Sequence, residues 1–208
     1  MKVQISFDKP DLEKALSIAT QVAPYADIFE VGTLLIYQHG VKAVEAFKNA
    51  FPKKTIFADC KIADRGKESV TLFAQAGADW VTVMAGTGKE VIHACCSAAD
   101  GLNVQVMLDL LDSSSVAQSA LEAKNLGISA LLFHQASDEQ ESLTFFDKWD
   151  MVKENSMLPI FIAAKIRRET IEGVLNVQPH GIIIGRSITE AQDPEQEAKY
   201  FYELASKY

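Results

Sequence analysis

Apolar residues along the chain fall into short unbroken runs separated by longer amphipathic stretches. The runs are residues 3–8, 27–32, 55–61, 79–85, 103–108, 129–134, 159–164 and 181–185, eight in all and each of strand length. Helical spacing fills the gaps. Lys9-Pro10-Asp11 opens a helix that continues to Val22, and others are expected over 41–50, 67–76 and 89–99. Ser113, Ser114 and Ser115 are cap candidates for a helix to Leu126, an acidic helical segment ends near Asn155, and two more helices cover 169–176 and 195–208. Strands that are apolar along their whole length must be buried on both faces, which calls for a parallel sheet with helical cover. Eight strand–helix units close into a (β/α)8 TIM barrel, and 208 residues lie at the small end of that fold's range. An open doubly wound sheet is the competitor. No Gly-x-Gly-x-x-Gly follows the first strand, where that fold would place a dinucleotide. With no linker or low-complexity segment, residues 1–208 are expected to form a single barrel domain.

Composition narrows the function classes. A net charge of −8 with no dense basic stripe argues against a nucleic-acid surface and against electrostatic binding to acidic membranes. No apolar run approaches membrane-spanning length, and the first residues are too soon interrupted by Asp8 to form a signal peptide. Cys60, Cys95 and Cys96 suit neither a disulfide framework nor zinc-ligand spacing, so the expected setting is reducing and cytoplasmic.

The chemistry of a barrel is built where its strands end. Here the ends carry Asp8, Glu30, Asp59 with Lys61, Asp109, His134, Ala164-Lys165 and Gly185-Arg186. Strands emerge into water at these points, so some polarity is ordinary, but a carboxylate cluster, one histidine and a terminal basic pair converge too well for that. The centre of the pattern is the run 57–67. Asp59 and Lys61, two apart on one strand, share a face, and Asp64 lies beyond its end. Glu30 and Asp59, from neighbouring strands, offer hard oxygen ligands suited to Mg²⁺. His134 is the candidate general acid/base. Gly185 and Arg186 offer a backbone amide and a guanidinium to a phosphate. Cys60 should face away from Asp59 and pack. Gly86-Thr87-Gly88-Lys89 lacks the upstream glycine and Ser/Thr of a phosphate loop, and His39, His93 and His180 lie away from strand ends.

Asp59-Cys60-Lys61-Ile62-Ala63-Asp64 resembles the Asp-x-Lys-x-x-Asp signature of the orotidine monophosphate decarboxylase suprafamily, and the likeness covers essentially the whole chain. Ile28-Phe29-Glu30-Val31-Gly32-Thr33 is similar to the second-strand motif of its sugar-phosphate branch; the nucleotide decarboxylases carry Lys where this chain has Glu30. The resemblance implies a Mg²⁺-dependent carbon–carbon lyase acting on a ketose phosphate through an enediolate. Glu30 and Asp59 would hold the metal, Asp8 and Lys61 would bind hydroxyls or polarise the enediolate, and His134 would move the proton. Arg186 and Gly185 would hold phosphate, and Asp64 would reach into the neighbouring site of a homodimer. Asp109, Ser137 and Ala163 match or nearly match the 3-hexulose-6-phosphate synthase side of the branch, which makes aldol addition of ribulose 5-phosphate to formaldehyde the leading expectation. The 3-keto-L-gulonate-6-phosphate decarboxylase side is the alternative; orotidine 5′-phosphate decarboxylation and a non-catalytic sugar-phosphate-binding barrel rank below it. One departure stands out: the family's seventh strand ends in Gly-Gly, where this chain has Ala164-Lys165. Two outcomes are open there: Lys165 binds phosphate directly as a cation, or the phosphate site is altered or lost.

Overall fold

Eight strands pair only in parallel, each with its sequence neighbour, and the last returns to the first. The computed structural model, which describes residues 1–136 and 148–208, is a closed barrel in the order β1-β2-β3-β4-β5-β6-β7-β8. The strands are β1 (Lys2–Phe7), β2 (Ile28–Val31), β3 (Thr55–Ile62), β4 (Trp80–Met84), β5 (Gln105–Asp109), β6 (Ala130–His134), β7 (Ile160–Ala163) and β8 (Gly181–Ile184). Around them run α1 (Leu12–Val22), α2 (Thr33–His39), α3 (Val41–Ala50), α4 (Gly66–Gln75), α5 (Lys89–Asp100), α6 (Val116–Ala123), α7 (Trp149–Lys153), α8 (Ile171–Asn176), α9 (Arg186–Thr189) and α10 (Pro194–Ala205). Closure of β8 onto β1, with Val3 opposite Ile182 and Ile5 opposite Ile184, excludes the open doubly wound sheet.

Each strand divides its side chains between two cores. Val3, Ile5 and Phe7 of β1 face outward with Phe29, Phe47 and the helices; Phe7 and Phe29 meet edge to face at 5.5 Å. The barrel interior is filled by Ile28, Phe57, Met107, Ala130, Leu132, Phe161 and Ile183, with Trp80 against them. Two residues further along the same strands, on the same face, stand Glu30, Asp59, Thr82, Asp109 and His134. The candidate site is thus the next interior layer above an apolar plug.

Local signals set the helix starts. Asp11 caps α1 by accepting from the Lys14 amide at 3.0 Å, and Asp193 caps α10 through Gln196, with Pro194 following. Of the three cap candidates before α6, Ser115 takes the role. Its helix ends at Ala123 and tightens to a 3₁₀ turn, Lys124–Leu126. Strand bounds lie within two residues of the expected ones. Apart from the single turn α9, one helix among the described residues was not expected: α2 follows β2 at once and ends at Gly40, whose φ of +61° stops it. Its first turn is capped from the residue just after β1, the Leu34 amide donating to Asp8 at 2.7 Å, so no local motif announces it. The expected acidic helical segment after β6 falls largely at 137–147, outside the described residues.

Candidate active site

Asp109 is the fixed point of the site. It ends β5, is fully buried, and accepts from the Leu111 amide at 3.0 Å. Its Oδ2 receives the Lys61 ammonium at 2.9 Å and faces His134 Nδ1 at 3.0 Å. Lys61 also reaches Asp59 at 3.1 Å. Asp59 in turn accepts from Thr33 Oγ1 at 2.8 Å and Thr82 Oγ1 at 3.0 Å. A continuous chain therefore runs Asp59–Lys61–Asp109–His134 across the ends of β3, β5 and β6.

Simple alternation along β3 does not account for Lys61. The β3–β4 register shifts between Ala58 and Ile62, and Lys61 sits at φ +46°, in the left-handed region. That conformation is unfavourable for a side chain other than glycine's, and such strain concentrates at working positions. The hydroxyl of Thr82 takes the Lys61 amide at 2.8 Å and helps hold the distortion. Cys60 faces the outer core as expected, with its thiol toward the Thr82 carbonyl, and burial pushes its pKa up to about 12.

Charges in this layer are strongly interdependent. Burial raises the Glu30 pKa to about 7, the charge of Asp59 adds to the rise, and hydrogen bonds from Ser6 and Gln4 oppose it. Burial disfavours the Lys61 ammonium, but Asp59 and Asp109 outweigh it and hold Lys61 firmly protonated. His134 shows the same contest: burial lowers its pKa, while the hydrogen bond and charge of Asp109 carry the balance upward. Burial would raise Asp109, yet His134 and Lys61 keep its carboxyl below the usual range.

Asp8 stands at the rim. Burial raises its pKa, the Leu34 amide opposes this, and it senses the charges of Asp59, Lys61 and Arg186. A Cβ on Gly32 would lie 2.6 Å from the Asp8 side chain, so glycine is what lets these segments approach. Arg186 is exposed at the start of α9, directly after Gly185 and β8. Lys165 follows β7 at φ +49°, a left-handed backbone that glycine adopts most readily. Asp64 is not joined to the network; it is exposed and accepts from the Arg65 amide at 2.7 Å. Ser137 lies outside the described residues.

Four residues that build the site were not anticipated from the sequence. Thr33 and Thr82 hold Asp59, while Ser6 and Gln4 hold Glu30. The available signal was polarity inside otherwise apolar strands, at the interior-facing positions 4, 6 and 82. The discounted histidines have other partners: His39 Nε2 meets the Pro10 carbonyl, and His180 Nδ1 accepts from the Ile160 amide at the opposite rim. Gly88 and Lys89 simply begin α5. A shallow cavity of about 330 Å³ lined by Lys48, Lys54, Trp80 and Gln105 also lies at that opposite rim, away from this chemistry.

Whether the residues present suit a divalent ion is answered by the donor set. Glu30 and Asp59 are buried carboxylates whose charges oppose each other, an arrangement that a cation relieves. Among the described residues no three His, Cys, Asp or Glu side chains converge into a cage. A hard ion such as Mg²⁺ fits that sparse set, since it is commonly held by one or two carboxylates with substrate oxygens and water completing the shell.

Comparison with known proteins defines the class. The model of the orotidine 5′-phosphate decarboxylase / HUMPS family matches residues 1–201, and the chain belongs to that family. Within it, the chain is 34% identical over 200 residues to 3-hexulose-6-phosphate synthase of Mycobacterium gastri, covering 96% of this chain and 97% of that one. It is 29% identical to the 3-keto-L-gulonate-6-phosphate decarboxylase UlaD of Escherichia coli, over 96% of this chain and 94% of the relative. The crystal structure of 3-hexulose-6-phosphate synthase from Salmonella typhimurium superposes with a TM-score of 0.94 at 31% identity, covering 100% of this chain and 99% of that one. A crystal structure of KGPDC from Streptococcus mutans gives 0.91 at 26%, covering 99% and 97%. Among the described residues no helix is long and apolar enough to cross a membrane.

Proposed function

We propose that the chain is a Mg²⁺-dependent 3-hexulose-6-phosphate synthase, joining ribulose 5-phosphate to formaldehyde through an enediolate. The observation that carries this reading is the chain Asp59–Lys61–Asp109–His134 with Glu30 beside it. An ammonium held by two carboxylates, an imidazole and the carboxylates of Glu30 and Asp59 share one layer, which supports reading them as fixed cation, proton carrier and hard oxygen ligands. Glu30 and Asp59 would hold the Mg²⁺, which when bound supplies Lewis-acid polarisation of the ketose oxygens.

The side chains do the rest. With its Nδ1–H donated to Asp109, neutral His134 presents Nε2 as the base that takes a proton from C1 of the ketose phosphate. The C1–H electron pair becomes the C1–C2 double bond, and the carbonyl electrons move onto the C2 oxygen. Lys61, kept protonated by its two carboxylates, donates to that oxygen. C1 then attacks the formaldehyde carbon, and the new alkoxide recovers the proton from His134. Asp8 lies within electrostatic range of Lys61 and Arg186, suited to a substrate hydroxyl. Arg186, the Gly185 amide and Lys165 bind the phosphate. Asp64, exposed and outside the network, serves the neighbouring site of a homodimer; exposed Leu34 and Tyr37 on α2 offer apolar surface for such a contact.

The 3-keto-L-gulonate-6-phosphate decarboxylase reading stays open because the same enediolate forms by loss of CO₂ and the decarboxylase relatives cover the chain as fully. Asp109 and Ala163 at their strand ends favour the synthase. The test is formaldehyde consumption with ribulose 5-phosphate, set against CO₂ release from 3-keto-L-gulonate 6-phosphate, each with Mg²⁺ and after chelation. The expected result is metal-dependent formaldehyde consumption. Exclusive CO₂ release rejects the synthase, and turnover that survives chelation rejects the metal.

A further inference from the structure

We infer that Gln4 and Ser6 of β1 are positioning residues for Glu30, setting its carboxylate for the divalent cation; the inference rests on the metal-dependent reading above. Ser6 lies directly opposite Glu30 in the β1–β2 register, and its hydroxyl donates to Glu30 Oε1 at 2.5 Å. Gln4 Nε2 donates to the other oxygen, Oε2. Each carboxylate oxygen thus gives one lone pair to a neutral donor, which fixes the plane of the group and keeps the others for a ligand.

What singles out this pair is its poor value as ordinary packing. Gln4 is fully buried, and its Oε1 has no hydrogen-bond partner among the described residues. An orphaned buried acceptor gives up its hydrogen bonds to water and gains none in return. Neighbouring interior positions, Ile28, Phe57 and Met107, are filled by apolar side chains that carry no such cost. A glutamine kept where one end goes unsatisfied is kept for its other end, and that end is on Glu30. Local rules of burial are broken in this way chiefly at functional positions. Glu30, the longer of the two carboxylates, has one more rotatable bond than Asp59, which is braced by Thr33, Thr82 and Lys61. Without Gln4 and Ser6 it would lose orientation and with it affinity for the ion.

The test measures Mn²⁺ binding to the full chain, by calorimetry or by the electron paramagnetic resonance signal of the free ion, for wild type, Ser6→Ala, Gln4→Met and Ser6→Thr. Removing a partner that orients a metal ligand should weaken Mn²⁺ binding by about 10–100-fold in Ser6→Ala and Gln4→Met, with Ser6→Thr restoring most of it. Circular dichroism and urea midpoints monitor folding. Should Gln4→Met fail to fold, Ser6→Ala, which deletes a single oxygen, decides alone. Wild-type binding with both variants within about two-fold of it overturns the inference and leaves the metal reading standing. A wild type that does not bind Mn²⁺ overturns both.

Discussion

Asp109→Asn tests the reasoning at its most constrained point. The carboxylate is fully buried and satisfies three donors, the Leu111 amide, the Lys61 ammonium and His134 Nδ1. Asparagine keeps the shape and one acceptor oxygen but turns an N–H₂ toward groups that are themselves donors. Removing one member of a buried ion pair costs about 3–5 kcal/mol because the other charge is left uncompensated. Lys61 retains Asp59 and His134 can shed its proton, so the expected loss lies near the lower end, about 3 kcal/mol in urea unfolding. The pH dependence should change with it. His134 has a folded-state pKa above its ordinary 6.5, so its contribution is complete below that value and fades as pH rises through the raised one. Asp109 has a lowered pKa, so its contribution is present above the ordinary carboxylate value and fades as pH falls through the lowered one. In the variant both slopes should flatten, and the His134 ring resonances should titrate at lower pH than in wild type. Turnover should drop by about 10²–10⁴-fold as the imidazole loses its fixed tautomer. A variant destabilised by under about 1 kcal/mol, the scale of an exposed ion pair, with an unmoved His134 titration would refute the reasoning.

Three further outcomes follow from particular contacts. His134→Ala should lower turnover by about 10²–10⁴-fold while the barrel stays folded, since Asp109 keeps Lys61; steady-state kinetics at matched circular dichroism check this, and an unchanged rate removes His134 from the mechanism. Gly66→Ala should destabilise by about 1–3 kcal/mol in urea, because the new methyl group would meet Cys95 Sγ at 2.7 Å and the Val91 carbonyl at 2.8 Å where α4 packs on α5. An unaltered midpoint would show that the helices can part there without loss. Lys165→Gly preserves the left-handed backbone but deletes the ammonium, so KM for the ketose phosphate should rise by about 10-fold or more with kcat largely kept; an unchanged KM takes Lys165 out of the phosphate site.

The barrel was legible because its signal is repeated. Eight apolar runs with helical spacing between them leave few alternatives once a parallel sheet is required, and an error of a residue at one strand does not disturb the others. Helix α2 was not legible, and the reason is physical. Its first-turn amide, that of Leu34, is capped by Asp8, the residue that follows β1, 26 positions away. Local reading finds caps that lie next to their helices, as with Asp11 and Asp193, and misses those delivered by the fold.

The charged members of the site were readable at the strand ends because ionisable residues stand out against apolar runs. Their connections were not. Lys61 was expected to join Asp59 by alternation alone, whereas a register shift and a positive φ bring it also onto Asp109, two strands away. Asp109 itself read as one carboxylate among several and proves to be the most buried of them, and the one that joins Lys61 to His134. Neutral helpers are harder still to see, since Gln4, Ser6, Thr33 and Thr82 carry no charge. Gln4, Ser6 and Thr82 face the barrel interior from strands otherwise built largely of β-branched, aromatic or long aliphatic residues, and Thr33 opens a helix that no local motif announces. A polar side chain in a barrel interior must be matched by a partner or incur its desolvation. In this chain the partners of all four include the two acidic residues most suited to holding a cation, which ties the conspicuous and the inconspicuous halves of the site to one physical requirement: like charges buried side by side must be oriented and neutralised.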